Sequence, residues 1–273
     1  MIERRQKEGK HPSLRDFVPK FYRGGPIRFY LPLLYDLVAI NKPGLIVSIG
    51  FDEGEAHFTF CQAAQEQELK CRCVAIHRDD SGNQTDDQAW QKGKAYGEEF
   101  YGAATQFLSG SPIQLAEDFA KQDVDLLLIS DCDSGSTIRQ ELAAWKTRLA
   151  PDAIVLMHGT ELEREDAPKD AWSEFITRKP HMELGDGVGL GLAAATSSSK
   201  SKRFFTQLGE SMELYRLAAE KIDAQARAAQ IVRENTALEM RQIWLDSVLA
   251  DRWKAQQIMD HQARELMDLE GKF

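Results

Sequence analysis

The 273-residue sequence predicts a doubly wound α/β domain on a mostly parallel sheet, followed by a long α-helical arm. Three observations carry that reading. Short apolar runs of strand length recur from Leu45 to His158, each followed by a stretch of helical spacing. These runs are apolar throughout rather than alternating, as in strands buried on both faces beneath helices. Between Glu210 and Glu270 there is neither Gly nor Pro, and strong helix formers dominate.

The elements follow in order. Residues 1–25 read as a basic arm: across 1–28, eight Lys and Arg stand against three acids, in a chain of net charge -9. Such an arm is expected to be a solvated tail or to seek an acidic surface. The α/β domain is expected over 26–198. Ile27 to Ile40 reads as a helix with Leu31, Leu34, Leu37 and Val38 on one face, closed by Asn41, Pro43 and Gly44. Leu45-Ile-Val-Ser-Ile-Gly50 is the first strand, and Glu55 to Gln67 resumes helical spacing. The cycle repeats at Cys73 to His77, Thr105 to Leu108, Asp125 to Ser130 and Ala153 to His158. His181 to Leu184 and Val188 to Ala193 read as an antiparallel hairpin turning at Gly185-Asp-Gly187.

Thr196 to Lys202 reads as a polar hinge that opens the arm, 199–273. Every seventh residue from Leu217 (Ala224, Ile231, Leu238, Leu245, Arg252, Met259, Leu266) is apolar except Arg252. Lys221, Asn235, Gln242 and Gln256 interrupt the partner row four residues on. The reading is an α-helical hairpin or a coiled-coil arm with an imperfect seam.

Composition excludes several function classes. A mean hydropathy of -0.43 and the lack of any run near the ~18 apolar residues of a membrane span predict no transmembrane segment. The charged start predicts no secretory signal. A pI near 5.3 speaks against bulk nucleic-acid binding, which needs clustered Lys and Arg. Cys61, Cys71, Cys73 and Cys132 lack the spacing of a tetrahedral site, so no metal is expected, and reduced thiols point to a cytoplasmic protein, free or peripheral at the inner membrane face.

Ligands of doubly wound sheets bind beyond the carboxyl ends of the strands, where strand order reverses. Gly50-Phe-Asp-Glu-Gly54 is a shortened glycine loop there, able to bring backbone close to a ligand at a helix N-terminus. Asp131 and Asp133 stand where an acid, a base or a ligand would, or where carboxylates cap the helix starting near Ser134. His158 ends the fifth strand as a general base or as a hydrogen-bonded histidine. Gly187-Val-Gly-Leu-Gly191 has the look of a dinucleotide fingerprint but leads into a strand rather than a helix.

Taken with Phe58 to Ala63, Asp125 to Asp133, Glu141 to Trp145, Trp172-Ser-Glu-Phe175 and Gly187 to Leu192, these residues carry a resemblance. From about Gly24 to Leu192 the chain resembles the class I S-adenosylmethionine-dependent methyltransferases found beside or fused to bacterial glycosyltransferases of surface-polysaccharide synthesis. The resemblance implies seven strands with the last one antiparallel. It also implies a cofactor site at Ser48, Gly50, Gly54, His77 and Ser130, and a catalytic set of Asp131, Asp133 and His158. The chain departs from that family in acids. Ser48 replaces the carboxylate of the first strand, His77 the ribose-binding acid of the second, Ser130 the strand-four Asp, and Gly159 the Asp of the fifth-strand His-Asp. A one-residue bulge would bring Asp131 inward instead.

Two functions follow. The first is a methyltransferase-fold protein of lost or altered activity, binding S-adenosylmethionine weakly or not at all. It would serve as subunit or scaffold of a glycan-synthesis assembly, with a glycosyltransferase or another subunit as partner and homo- or hetero-oligomers formed through the C-terminal helices. The second is an active O-methyltransferase acting on a sugar hydroxyl, with Asp131 or His158 helping to remove the hydroxyl proton.

Overall fold

The structure, a computed structural model, describes residues 11–78, 84–130, 134–163 and 166–270. The apolar runs form seven strands: β1 (Leu45–Ile49), β2 (Arg72–His77), β3 (Thr105–Ser109), β4 (Val124–Ile129), β5 (Leu149–His158), β6 (His181–Leu184) and β7 (Leu190–Ala194). They make one sheet in the order β3-β2-β1-β4-β5-β7-β6. β1 to β5 are mutually parallel, and β7 runs antiparallel between β5 and β6. This is the class I methyltransferase-like arrangement, with the strand order reversing between β1 and β4.

The helices are α1 (Ser13–Asp16), α2 (Leu31–Asn41), α3 (Glu55–Glu66), α4 (Gln84–Phe100), α5 (Pro112–Leu115), α6 (Gly135–Trp145), α7 (Pro168–Ile176), α8 (Ser199–Gly209) and α9 (Met212–Glu270). Period-two alternation sends strand side chains into two cores. Ile46, Cys73, Leu126 and Leu156 meet α2, α3, Trp90 of α4 and Phe205 of α8. Val47, Val74, Leu127 and Val155 meet Ile138 and Trp145 of α6 and Trp172 of α7. Two covered faces explain why β1, β4 and the end of β5 read as continuous apolar runs, whereas the edge strand β6, His-Met-Glu-Leu, alternates.

Four expectations change. The first helix is a 3-10 turn, Pro26–Tyr30, followed by α2, which is buried almost all round rather than on one face because it lies between the sheet and the N-terminal segment. Within the basic arm, Phe17 and Phe21 belong to the core, so residues 11–25 are not a solvated tail. The polar hinge is a helix start: Ser198 caps α8, accepting the Ser201 N–H at 3.0 Å while the Ser201 hydroxyl accepts the Ser198 N–H at 2.9 Å. The arm is not a hairpin, since α9 is a single helix of 59 residues.

Contacts divide the chain into Met1–Asp223 and Ala224–Phe273, so the boundary lies well beyond 198. Phe205, Leu208, Tyr215, Ala219 and Ile222 are buried in the first unit, whereas Ile231, Leu238, Trp244, Trp253 and Met259 of the second are exposed. No helix among the described residues is long and apolar enough to cross a membrane.

Candidate functional site

Parallel strands end together, so the carboxyl ends of β1, β2 and β4 bring the glycine loop, His77, Arg78 and Ser130 to one rim. Gly50 leaves β1 with φ +78, and its N–H reaches the Ile76 carbonyl at 2.9 Å. A Cβ there would run into the Ser130 carbonyl oxygen and come within 2.8 Å of Arg78 Nη1. Gly54, φ +84, starts α3, and a Cβ on it would lie 2.5 Å from the Phe51 ring. Both glycines therefore make room, but for this chain's own side chains.

The Phe51 ring is 6% exposed and packs edge-on against Trp90, with ring centroids 5.1 Å apart. His77 is stacked on the same Trp90 at 5.1 Å and 17° between planes. Arg78, the next residue, turns back over β1. Its Nη1 donates to the Ser130 carbonyl at 2.8 Å, and its Nε and Nη2 donate to the two carboxylate oxygens of Glu141 on α6, both at 2.9 Å. Both partners are buried, Glu141 to 1% exposure. Breaking such a pair by removing one partner costs about 3–5 kcal/mol, because a charge is then left uncompensated.

Beside them lies a cavity of about 10 Å³ lined by Ser48, Gly50, Asp52, Glu55 and Ser130 among others. That is on the order of the room one water needs. The Ser48 hydroxyl is buried there without a partner. Ser130 keeps the strand register, its N–H donating to the Ile49 carbonyl at 2.8 Å and its hydroxyl to the Gly50 carbonyl at 3.0 Å. The β4–β5 register shift lies at the opposite end, between Val124 and Leu126, and the pairing runs unbroken from Leu126 to Ile129. Asp131 and Asp133 themselves lie outside the described residues. At the start of α6 the Ser134 hydroxyl accepts the Thr137 N–H at 3.2 Å, and Asp166 accepts the Ser136 N–H at 3.0 Å.

His158 ends β5 as expected, 6% exposed. Its Nδ1 lies 3.6 Å from the Asp52 carboxylate, an ion-pair distance when the ring is protonated, and its Nε2 is buried without a partner. Asp52 takes φ +47, a left-handed conformation uncommon outside glycine.

Three participants escaped the sequence reading. Arg78 has no motif of its own in the sequence, since its partner Glu141 lies 63 residues away. Asp52 carried only its place inside that loop. Glu55, 1% exposed, accepts the backbone N–H groups of Arg23, Gly24 and Gly25 at 2.7, 2.9 and 2.9 Å and so ties the N-terminal segment across α3. The Gly24-Gly25-Pro26 run was its trace in the sequence.

As they stand, the described residues of the rim do not fit S-adenosylmethionine. Among them the end of β2 carries His77 and Arg78 and no carboxylate, one face of His77 is covered by Trp90, and Arg78 spans the rim to Ser130 and Glu141.

Comparison with known proteins agrees on the fold. Residues 47–160 match the family model described as "Methyltransferase domain". An uncharacterized protein of Sinorhizobium fredii, y4gI, is 24% identical over 185 residues, covering 63% of this chain, and the match spans 18% of that protein's length. Among solved structures, a methyltransferase from Geobacter sulfurreducens has 18% identity and a TM-score of 0.47, covering 71% of this chain and 87% of its own. TomG, an O-methyltransferase of Streptomyces achromogenes in complex with SAM, has 14% identity and a TM-score of 0.47 over 69% of this chain and 88% of its own. CalS11, a TDP-rhamnose 3'-O-methyltransferase, has 17% identity and a TM-score of 0.48 over 61% and 77%. None of these structural likenesses bears on activity or substrate.

Proposed function

We propose that this chain is a methyltransferase-fold subunit of lost or altered cofactor-dependent activity, serving an assembly rather than a reaction. The single observation behind it is the guanidinium of Arg78, which bridges Ser130 and Glu141 across the glycine loop where a cofactor would need entry. The test is calorimetric titration of the full chain with S-adenosylmethionine. Heat at the level of the blank is expected; saturable binding at micromolar concentration overturns the reading.

The assembly half rests on the second unit. Ile231, Leu238, Leu245 and Met259, four places of the row that repeats every seventh residue, are exposed, an arrangement that calls for another helix to cover it. The partner is a second copy or another subunit, and the glycan-synthesis setting comes from the family resemblance. Replacing Ile231 and Leu238 together with Glu should dissociate an oligomer or complex without lowering the melting temperature of the sheet domain. Light scattering on the full chain and the variant checks it, and an unchanged mass removes this seam from the interface.

A second reading, an active O-methyltransferase acting on a sugar hydroxyl, is favoured by one feature: His158, with Asp52 beside Nδ1 and Nε2 unpartnered, has the arrangement of a general base. It predicts release of S-adenosylhomocysteine with a sugar acceptor, lost in His158→Gln. Equal release from both proteins rules out that role.

A further inference from the structure

The group that closes the rim is a cation, and its surroundings are shaped for one. Glu141 offers both carboxylate oxygens to Nε and Nη2 of Arg78, each at 2.9 Å, a two-pronged match that a planar guanidinium makes and an ammonium does not. The Ser130 carbonyl accepts from Nη1 at 2.8 Å. Gly50, at φ +78, keeps the floor beneath Nη1 free of a Cβ that would stand 2.8 Å from it. The acceptors come from α6 and the end of β4, and the floor from the end of β1, so the arrangement is built at the sheet's switch point. Arg78, by contrast, follows the last residue of β2 and is covalently tied to that strand at one end only of its long side chain.

We propose that Arg78 is an internal ligand: Glu141, the Ser130 carbonyl and the bare floor at Gly50 form a site for an organic cation, occupied in the resting chain by the protein's own guanidinium. Withdrawal of that side chain opens the site to cations from outside, the class to which the sulfonium cofactor of the fold belongs. The inference deepens the reading of a cleft closed to that cofactor and rests on it.

The experiment is chemical rescue on the full chain. Arg78→Ala leaves Glu141 buried beside a guanidinium-sized gap and melts below the wild type. Millimolar ethylguanidinium is expected to raise the melting temperature of Arg78→Ala and not that of the wild type, and to do so more than ethylammonium at the same concentration. S-adenosylmethionine, as a second probe, is expected to stabilise Arg78→Ala more than the wild type. A folded Arg78→Ala that responds to neither ethylguanidinium nor S-adenosylmethionine overturns the proposal while leaving the functional reading intact. Micromolar binding of S-adenosylmethionine to the wild type sinks the functional reading instead, and the plug survives only where Arg78→Ala binds it more tightly. If Arg78→Ala does not fold, Arg78→Ala with Glu141→Gln removes the stranded charge. Ethylguanidinium should then stabilise the double variant much less than it does Arg78→Ala with Glu141→Asp, and equal stabilisation of the two overturns the assignment of Glu141.

Discussion

At the scale of single residues, the most exposed consequence of burial is at Asp36, far from the rim. Its carboxylate is fully buried on α2, accepting the Ser13 N–H at 2.8 Å and the Tyr215 O–H at 2.9 Å, with His11 Nδ1 3.6 Å away. Desolvation pushes its pKa up to about 6 from the ordinary 3.8, outweighing those hydrogen bonds. A raised acid pKa means that the folded state holds a proton the unfolded chain has released. The contribution is therefore complete below about pH 4 and is lost as pH rises through about 6, a loss of about 3 kcal/mol for a shift near two units. Asp36→Asn, which cannot ionise, should flatten this part of the profile. Urea midpoints from pH 4 to pH 7 decide it, and parallel slopes in the two proteins refute the assignment. None of this was legible in the sequence, where Asp36 is one acid in an apolar helix. The rim shows the same limit: Ser48, Gly50 and Ser130 fell where the strand ends put them, but that Arg78 fills the space depends on Glu141, 63 residues away.

At the scale of elements, strands were legible to within a residue or two, except that β5 begins at Leu149 rather than Ala153, because continuous apolar runs have one explanation once helices lie on both sides. Helix beginnings were not. Thr196 to Lys202 looks like a linker because Ser and Lys dominate it, yet Ser198 and Ser201 stand three apart, and each hydroxyl satisfies the other's backbone N–H. A linker leaves those donors to water, whereas a cap fixes the direction in which α8 enters the core with Phe205 and Leu208. Ser198→Ala should cost about 1 kcal/mol, the usual value of an N-cap. The melting temperature would fall by about 2–4 °C for a domain of this size. A shift indistinguishable from zero, measured by near-ultraviolet circular dichroism, returns the segment to the status of a hinge. The same reasoning explains why a hairpin and a coiled-coil arm were both open for α9: propensity alone does not say whether a Gly-free run turns back, and nothing in its composition breaks it.

At the scale of the whole molecule, the composition of 210–270 is uniform, but its burial is not, and the boundary between units falls where cover ends rather than where sequence texture changes. The root of α9 is fastened to the first unit from several directions. Tyr215 donates to Asp36, His11 Nδ1 lies 2.6 Å from the Tyr215 hydroxyl, and Tyr22 donates to Asp223 at 2.7 Å, with Arg28 Nε 3.3 Å from the same carboxylate oxygen. A chain ending at Ser198 loses the burial of Phe205, Leu208, Tyr215 and Ile222 together. At about 1.5–3 kcal/mol for each large apolar side chain, that amounts to roughly 6–12 kcal/mol. The whole stability of a domain is only about 5–15 kcal/mol. Residues 1–198 should therefore lack a cooperative melting transition, whereas residues 1–223 should melt within a few degrees of the full chain, because the side chains removed beyond Asp223 include the exposed apolar row. Differential scanning calorimetry of the two truncated chains separates the alternatives. A sharp transition in 1–198 matching that of 1–223 would mean that α8 and the root of α9 are ornaments on a sheet domain that is complete without them.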